Sequence, residues 1–351
     1  MKKICINGKF FCQRITGTQR YARELLSQID QLLSTVEFGN LVVEVLIPKG
    51  ARSVPAYDNV EVRTVGWMTG TRWEQVELPR YCDGELLFTL SGGAPILHSR
   101  NVVTIHDAAV VAAPAGYSLA YRLWHRSMCR NMARTAQHIF TVSHFSKSEI
   151  VKWYGASPEN ISVIYVGTHF HTVEADPSML SRSRILGKYV LAVGAYNPNK
   201  NLARVVQAMD LLKSEGLQLV IVGGHDKSVY RQSHKIPAHV HTVGYVSDAE
   251  LKSLYQNAAC FVFPSLYEGF GSPPLEALSS GCPVVVSQAG SLPEIFNGAA
   301  FLCDPHRPED IAAAIRKAVE SPPEASLLRA FAEKFSWRQC ARQTLAVLER
   351  L

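Results

Sequence analysis

The chain has 351 residues, of which 47% are hydrophobic and 19% are charged, and its formal net charge is +6 with histidine neutral. This composition is typical of a globular protein and excludes a fibrous or intrinsically disordered chain. The length suits two domains of about 150 residues each. No apolar run approaches the ~18 residues that span a bilayer. The modest positive charge favours an anionic ligand or an anionic membrane surface without requiring nucleic acid.

The N-terminus and the cysteines bear on the compartment. The first residues begin like a secretory signal, but Gly8 and Lys9 interrupt the apolar part, which predicts a first strand rather than an export signal. The eight cysteines are scattered without a C-x-x-C pair, which is typical of reduced thiols in a cytoplasmic protein. No zinc spacing and no DNA- or RNA-module signature is present, so no nucleic-acid partner is expected.

Short apolar runs alternate with helical patterns along the N-terminal half, which predicts a parallel α/β sheet. A loop at 8–17 leads into an amphipathic helix at 18–33. The predicted strands cover residues 3–7, 41–47, 60–65, 85–89, 101–105, 139–142 and 161–165. The fourth of them opens into Ser91-Gly92-Gly93.

The C-terminal half repeats this alternation after a polar stretch, 171–187, that lacks periodicity and is predicted to be a linker. Strands are predicted at 189–193, 217–222 (ending in Gly223-Gly224), 240–243 and 260–263, with a further strand after Gly281. Helices are predicted from 198 to near 215 and at 248–256, 308–319 and 337–351. The pattern predicts an α/β protein of two Rossmann-like halves, whose parallel sheets face a central cleft.

The stretch 263–287 carries most of the functional signal. A strand runs into a loop in which Gly269 and Gly271 let the backbone approach a ligand closely. Ser272 is the predicted N-cap of the following helix, and Pro273 is its predicted first residue. Backbone amides and a helix N-terminus would then face one spot, which prefers an anion.

Two carboxylates, those of Glu268 and Glu276, flank this spot. They repel a bare phosphate but accept hydrogen bonds from sugar hydroxyls, so a sugar joined to a diphosphate would satisfy the whole site. Alternatively, Glu276 only complements the helix dipole, a contribution of roughly 0.3–1 kcal/mol, and the turn only packs. The spacing alone leaves both interpretations open.

The segment Glu268-Gly-Phe-Gly-Ser-Pro-Pro-Leu-Glu276 resembles the E-x7-E segment of retaining, GT-B-fold glycosyltransferases of family 4. These are the glycosyl transferases group 1, and the likeness is to their mannosyltransferase-like members. The resemblance continues through Ala277, Gly281, Pro283-Val284 and residues 290–294. It implies that Glu268 acts in catalysis by holding sugar hydroxyls and that Glu276 holds the ribose. It further implies donor contacts from Gly269, Phe270, Gly271 and Ser272.

The same resemblance assigns roles to the two halves. Residues 1–170 would form the acceptor domain, 171–187 the linker and 188–337 the nucleotide-sugar donor domain. The last helix, 338–351, would pack back on the first domain.

Two further segments of the second half match the family. The loop 194–201 resembles a basic loop in which an arginine and a lysine neutralise the leaving diphosphate. Only Lys200 is present, so it is the predicted catalytic cation, while Asn199 lies where the arginine is common and is a predicted donor contact. The turn at Gly244 and Tyr245 resembles a nucleobase contact, although a plain strand-to-helix turn explains it equally well.

The N-terminal half contributes candidate site residues from two loops, each of which follows a strand. Gly17 opens the first helix where the family sets a glycine-bearing loop against the donor diphosphate and the acceptor, although an ordinary loop is the alternative. His106 follows strand 101–105 and matches a family histidine beside the donor sugar, which makes it a catalytic candidate, whereas an isolated histidine at such a tip is more often structural. Asp107 would orient the imidazole or hold the turn. The acceptor-side candidates are Asp107, Arg14 and Arg20, and either arginine would compensate for the missing second cation.

Two absent motifs narrow the chemistry. Without D-x-D, no metal cofactor is expected, and the lack of G-x-G-x-x-G after the first strand disfavours a dinucleotide oxidoreductase. The resemblance implies retaining transfer of a hexose, with GDP-mannose the favoured donor. The acceptor would be a glycan or lipid-linked oligosaccharide in surface polysaccharide biosynthesis, including lipopolysaccharide. The alternatives are a GT-B-fold nucleotide-sugar epimerase or hydrolase, and a non-catalytic nucleotide-sugar-binding partner subunit.

Arginines recur every four residues on one predicted helix, at Arg122, Arg126, Arg130 and Arg134. A solvated helix face is the plainer interpretation. The alternative is peripheral contact of a cytoplasmic protein with the anionic inner face of the membrane, where a lipid-linked acceptor would lie.

Overall fold

A computed structural model describes residues 1–82, 84–194, 197–223 and 240–351. These residues form two compact α/β units. The first comprises Met1–Val111, Leu123–Gly167 and Ser336–Leu351, and the second comprises Ala112–Arg122 and Thr168–Phe335. The predicted strand end at Gly224 and two positions of the predicted basic loop, 195 and 196, lie outside the described residues.

The described part of the first unit contains one parallel sheet of seven strands. They are β1 Lys2–Asn7, β2 Leu41–Ile47, β3 Glu61–Thr64, β4 Leu86–Thr89, β5 Asn101–Thr104, β6 His138–Thr141 and β7 Ile161–Val163. Their order is β3-β2-β1-β4-β5-β6-β7. The chain order therefore reverses between the neighbours β1 and β4. Ligands of open α/β sheets bind beyond the carboxyl ends of the strands at such a switch point.

The second unit has a parallel sheet of six strands within the described ranges. They are β8 Tyr189–Val193, β9 Gln218–Val222, β10 His241–Gly244, β11 Cys260–Phe263, β12 Val284–Ser287 and β13 Phe301–Cys303. Their order is β10-β9-β8-β11-β12-β13, so the switch point lies between β8 and β11. The strands β11 and β12 are buried throughout, as apolar strands of a parallel sheet are when both faces are covered.

Most helices connect successive parallel strands, whereas Pro308–Glu320, Ala325–Ala332 and Trp337–Arg350 follow the last strand. The longer ones are Gly17–Leu33, Leu119–Thr135, His144–Tyr154, Leu202–Leu211, Asp248–Asn257, Ser272–Ser279, Pro308–Glu320, Ala325–Ala332 and Trp337–Arg350. Short α-helical turns occur at Gly70–Arg72, Leu78–Cys82, Ala109–Ala112, Met179–Arg182 and Leu292–Phe296, and a π-helical turn at Trp73–Glu77. Single 3-10 turns occur at Gly8–Cys12, Pro114–Gly116, Pro158–Asn160, Pro198–Lys200 and Lys213–Glu215. No described helix is both long and apolar enough to cross a bilayer.

The last helix, Trp337–Arg350, packs against helix Gly17–Leu33 within the first unit. Lys2 Nζ donates to Glu349 O at 3.0 Å, which ties this helix to the start of β1. The backbone at Gly167 lies close to this last helix, because a Cβ on Gly167 would stand 2.2 Å from Trp337 N. Only glycine fits that approach without a shift of the helix.

The segment predicted as a linker, 171–187, is part of the second unit. Met179 is buried, at 1% exposure, and Asp176 N donates to Ala249 O at 3.0 Å. Arg182 forms an ion pair with Glu250. The polar composition of the segment 171–187 therefore reflects a surface segment that packs on the second unit through a few side chains, not a spacer.

The prediction that Ser272 caps its helix is wrong by one residue. The N-cap is Gly271, whose φ of 101° lies in the left-handed region that favours glycine. A Cβ there would also stand 2.7 Å from Leu292 Cδ2. Ser272 is consequently the first helical residue, and the glycine is required by both backbone and packing.

Candidate active site

Two loops beyond β8 and β11 meet at the switch point of the second sheet. The first contains the 3-10 helix Pro198–Lys200. Leu266 N, in the second loop, donates to Asn199 O at 2.8 Å. Asn201 Nδ2 donates to Pro264 O at 3.0 Å. These contacts join the two loops and fix the backbone that carries Lys200.

Lys200 and Glu268 form an ion pair between these loops, with 2.6 Å between Nζ and Oε1. The lysine side chain is 23% exposed and the glutamate side chain 14% exposed, so solvent screens the pair only in part. The Phe263 ring centroid lies 4.7 Å from the ammonium, a cation–π contact that helps to orient it. An ammonium has three N–H donors, so the carboxylate leaves two for the oxygens of a bound anion.

The backbone of Glu268 is clamped from the other side. Ser291 donates to Glu268 O through its N–H at 3.2 Å and through Oγ at 3.1 Å. Gly290 has a φ of 63°, and a Cβ on it would stand 2.8 Å from Glu268 N. Gly290 and Ser291 therefore hold the backbone of the residue that carries this carboxylate.

The turn before helix Ser272–Ser279 supplies backbone donors beside the ion pair. Pro273 and Pro274 have no N–H, so the N–H groups at the start of this helix belong to its N-cap, Gly271, and its first residue, Ser272. The Phe270 ring is buried against Phe335, with centroids 5.9 Å apart. The turn is thus anchored by the Phe270 side chain, and its backbone is what a ligand could contact.

Glu276 lies on the first turns of the same helix and is half-buried. Tyr255 Oη donates to Glu276 Oε2 at 3.3 Å. Burial raises the pKa of Tyr255 well above its usual range, so the phenol keeps its proton and acts as the donor. Within the described ranges, neither glutamate belongs to a group of three His, Cys, Asp or Glu residues that could hold a metal ion.

The remaining predicted donor contacts differ in what their side chains do. The Asn199 side chain is buried and donates to Ala113 O at 3.1 Å, which assigns it a structural bond within the second unit. Gly244 ends β10 with a φ of 78°, and its carbonyl accepts from Gly223 N at 2.8 Å. Tyr245 is 63% exposed.

His106 follows β5 at the carboxyl edge of the first sheet. Its Nε2 lies 3.3 Å from Leu90 O, and its ring meets Tyr21 edge-on with centroids 4.7 Å apart. Burial lowers the pKa of His106 to about 4, so the imidazole is neutral at pH 7. The contact with a carbonyl assigns the proton to Nε2 and leaves Nδ1 as an acceptor.

The other candidates of the first unit lie after β5 and at the start of helix Gly17–Leu33. Asp107 Oδ1 accepts a hydrogen bond from Ala109 N at 2.8 Å, which is the turn-holding alternative of the two predicted for it. Gly17 is the first residue of helix Gly17–Leu33, and a Cβ on it would meet nothing within 4 Å. Arg14 is exposed and Arg20 is half-buried.

One cluster of charged and polar residues was not predicted from the sequence. Lys9, just after β1, pairs with the buried Glu74 at 2.7 Å between Nζ and Oε2. Asn7 Nδ2 donates to Glu74 Oε1 at 3.0 Å. Glu74 lies on the π-helical turn, where no periodicity marks it. The available signal was an acidic residue directly after Trp73.

Comparisons with known proteins agree with this architecture. The family model for glycosyl transferases group 1 matches residues 186–335, and the model for glycosyltransferase family 4 matches residues 86–171. O-antigen chain mannosyltransferase B of Escherichia coli is 31% identical over 263 residues, which cover 70% of this chain and 69% of that protein. MMP alpha-(1->4)-mannosyltransferase of Mycolicibacterium hassiacum is 31% identical over 273 residues, which cover 71% of this chain and 65% of that protein.

A solved structure supports the fold over the whole chain. HepE of Anabaena, crystallised in complex with UDP and glucose, has a TM-score of 0.70 at 18% identity and covers 100% of both chains. The two parallel α/β units and these likenesses define a glycosyltransferase of the GT-B fold. The chain belongs to the family of glycosyl transferases group 1. The predicted fold, family and enzyme class are confirmed.

The open space around Gly17 allows its predicted contact with the donor diphosphate to be tested by substitution. Gly17→Ala should leave the melting temperature unchanged or slightly higher, because the methyl meets no atom and alanine favours a helix. We expect about a tenfold loss of kcat/KM for the nucleotide sugar, roughly 1.4 kcal/mol, because the methyl would obstruct a diphosphate against this amide. Gly39→Ala, whose Cβ would make only an ordinary 3.5 Å contact, is the matched control. Wild-type kcat/KM in folded Gly17→Ala would contradict the predicted role.

Proposed function

We propose that this enzyme transfers a hexose from a nucleotide diphosphate sugar to a glycan or lipid-linked acceptor, with retention of the anomeric configuration. The observation that carries the proposal is the Lys200–Glu268 ion pair at the switch point between β8 and β11, next to the backbone N–H groups of Gly271 and Ser272 at a helix start. The pair offers a cation to a diphosphate and a carboxylate to sugar hydroxyls. One site then holds both halves of the donor.

Mannose is the favoured sugar and GDP the favoured nucleotide. Both relatives named above are mannosyltransferases, and one acts on the O-antigen chain, which supports a place in surface polysaccharide synthesis. The resemblance to the mannosyltransferase-like members of the family favours GDP-mannose. HepE was solved with UDP and glucose, so UDP-glucose is the natural competitor in a donor panel.

The chemistry follows from where charge develops. Breaking the anomeric C–O bond builds positive charge on the sugar ring and negative charge on the departing diphosphate. Fixed donors placed where the negative charge grows lower the barrier, typically by about 2.7–4 kcal/mol for each such donor. Lys200 and the N–H groups of Gly271 and Ser272 fill that role here. Glu268 holds the sugar, and Glu276, oriented by Tyr255, holds the ribose.

No protein nucleophile is required in this mechanism. By resemblance to the retaining family, an oxygen of the departing diphosphate deprotonates the acceptor. The acceptor then attacks the sugar on the same face from which the diphosphate leaves. His106, neutral and with Nδ1 as an acceptor, suits a hydrogen bond from a sugar hydroxyl. We propose further that no metal takes part, so transfer should be unchanged after EDTA treatment.

Removing either member of the ion pair tests the proposal. Lys200→Ala and Glu268→Ala should each lower kcat/KM at least tenfold, about 1.4 kcal/mol of barrier, in a transfer assay with GDP-mannose and a mannoside acceptor. Glu215→Ala removes an ion pair of similar length, 2.8 Å to Arg316, before β9 in the same unit, and should leave kcat/KM unchanged.

The outcomes separate the alternatives. Folded Lys200→Ala and Glu268→Ala variants with wild-type kinetics would refute the assigned roles. Donor consumption that does not depend on an acceptor would favour the hydrolase or epimerase. Nucleotide-sugar binding without turnover of any donor would favour a non-catalytic partner subunit.

We also propose a peripheral contact between helix Leu119–Thr135 and an anionic membrane. All residues of this helix are described, and only Cys129 and Met132 among them are buried. Leu119, Leu123 and Trp124 are 64%, 60% and 51% exposed. Arginines line a groove beside them, namely Arg126, Arg130 and Arg134. Apolar and cationic side chains on one exposed helix suit the boundary of an anionic bilayer, where each arginine contributes about 1 kcal/mol.

Co-sedimentation with liposomes tests the membrane contact. The wild type should sediment with vesicles that contain phosphatidylglycerol and much less with purely zwitterionic vesicles. The triple variant Arg126→Gln/Arg130→Gln/Arg134→Gln should lose that difference, whereas Arg316→Gln on the second unit should keep it. Equal sedimentation of the wild type with both vesicle types would end the membrane proposal.

A further inference from the structure

A small pocket of about 210 Å³ lies at the C-terminal end of helix Ser272–Ser279, within the second unit. The donor loops adjoin the N-terminal end of this helix, whose eight residues span about 12 Å, so the pocket is a separate place on the same unit. Its volume is well above the ~10–15 Å³ that holds one water. It is below the ~300–1,000 Å³ of pockets for drug-sized ligands, so it suits a small ligand.

Solvent reaches this pocket. Four of the residues that line it are exposed, namely His171, Gln256, Arg329 and Glu333. Lys252 is half-buried. Ser280, which follows the last residue of the helix, is only 4% exposed and lies deeper in the wall. A dissolved ligand can therefore enter the pocket and meet charged side chains without any rearrangement of the helices.

Two cationic side chains of this pocket have N–H groups to spare. Lys252 Nζ donates to Phe170 O at 2.7 Å and to Val173 O, which leaves one of its three N–H groups. The Arg329 guanidinium lies against the backbone at Gly281, where a Cβ would stand 2.5 Å from its Nη1. Within the described ranges Arg329 makes no hydrogen bond and no ion pair through its side chain, so all five of its N–H groups remain for a ligand.

The two cations lie close enough to repel one another. Burial lowers the pKa of Lys252, and the positive charge of Arg329 lowers this pKa further, while Glu174 opposes both effects. Glu333 lies one helical turn after Arg329, since its N–H donates to Arg329 O at 3.0 Å. Their spacing allows an ion pair, but none forms between these two described side chains. An anion bound between Lys252 and Arg329 would relieve their repulsion.

Capping of the helix explains this arginine poorly. A cation near the C-terminal end of a helix is favoured by the helix dipole and can donate to the last carbonyls. Those of Ala277 and Leu278 already accept hydrogen bonds, from Cys282 N at 3.0 Å and from Gly281 N at 2.9 Å. Arg329 donates to neither of them. Its donors are therefore available on the side of the pocket.

We propose that Arg329 and Lys252 bind the phosphate group of a small phosphorylated ligand in this pocket. The planar fork of an arginine matches a phosphate with two parallel hydrogen bonds, and Lys252 adds its remaining N–H. The exposed Glu333 carboxylate repels a bare phosphate but accepts from a hydroxyl group next to one. A monosaccharide phosphate carries both groups. This site is independent of the proposed transferase function and of the donor loops.

Titration of the full-length protein with inorganic phosphate and with mannose 6-phosphate, followed by phosphorus NMR, tests this site. The wild type should bind both probes, and mannose 6-phosphate more tightly. Arg329→Gln should weaken both at least about tenfold, because charge-assisted hydrogen bonds are lost, and should keep the melting temperature. Arg316→Gln, which changes another arginine of the second unit, is the matched control and should bind as the wild type does. Glu333→Gln should bind inorganic phosphate more tightly and lose the preference for mannose 6-phosphate.

Lys200→Ala separates this pocket from the donor loops, which also attract phosphate. It should keep most of the affinity for inorganic phosphate. A loss in Lys200→Ala as large as that in Arg329→Gln would assign the anion to the donor loops and overturn the pocket site. The site is likewise overturned if the wild type binds neither probe, or if Arg329→Gln binds both as the wild type does. Equal affinity of the wild type for the two probes would overturn the hydroxyl contact assigned to Glu333.

Discussion

The ion pair between Lys200 and Glu268 is the interaction on which the proposed donor site depends. It holds a cation and a carboxylate 2.6 Å apart, on two loops that are bonded to one another through backbone groups. Because the pair is mostly shielded from water, its electrostatic effect on a ligand is stronger than that of a surface pair. In the proposed site a single lysine serves the diphosphate. The backbone N–H groups of Gly271 and Ser272 are proposed to supply the remaining stabilisation, because the two prolines that follow have no N–H.

The topology of the two sheets constrains where the two lysine–glutamate pairs lie. Each unit reverses its strand order once, between β1 and β4 or between β8 and β11, and leaves a crevice beyond the carboxyl ends of the strands. In each unit a lysine–glutamate pair lies at that point. Glycines bring the neighbouring backbone close to each glutamate, at Gly290 for Glu268 and at Gly93 for Glu74. Both glutamates are therefore positioned by close packing of the backbone as well as by their ion pairs.

Much of this could be predicted from the sequence, for a physical reason. Buried parallel strands read as apolar runs that end in glycine or polar residues, so the tips that carry Lys200, Glu268 and His106 could be placed. The N-cap at Gly271 could not, because it depends on contacts with Leu292 and Phe296 from a later segment. Glu74 escaped prediction because its partner Lys9 is distant in the sequence and a π-helical turn has no periodic pattern. The bond from the Asn199 amide to Ala113 also escaped, since only the fold brings those two residues together.

The most direct test of the donor site is the binding of nucleoside diphosphates to the wild type and to Lys200→Ala, measured by thermal shift with GDP, UDP and ADP. We expect that one of the three, with GDP favoured, raises the melting temperature of the wild type and that Lys200→Ala loses most of this shift. A wild type that none of the three stabilises would contradict the assignment of a donor site to the loops beyond β8 and β11. An equal shift in Lys200→Ala would contradict the role of the lysine.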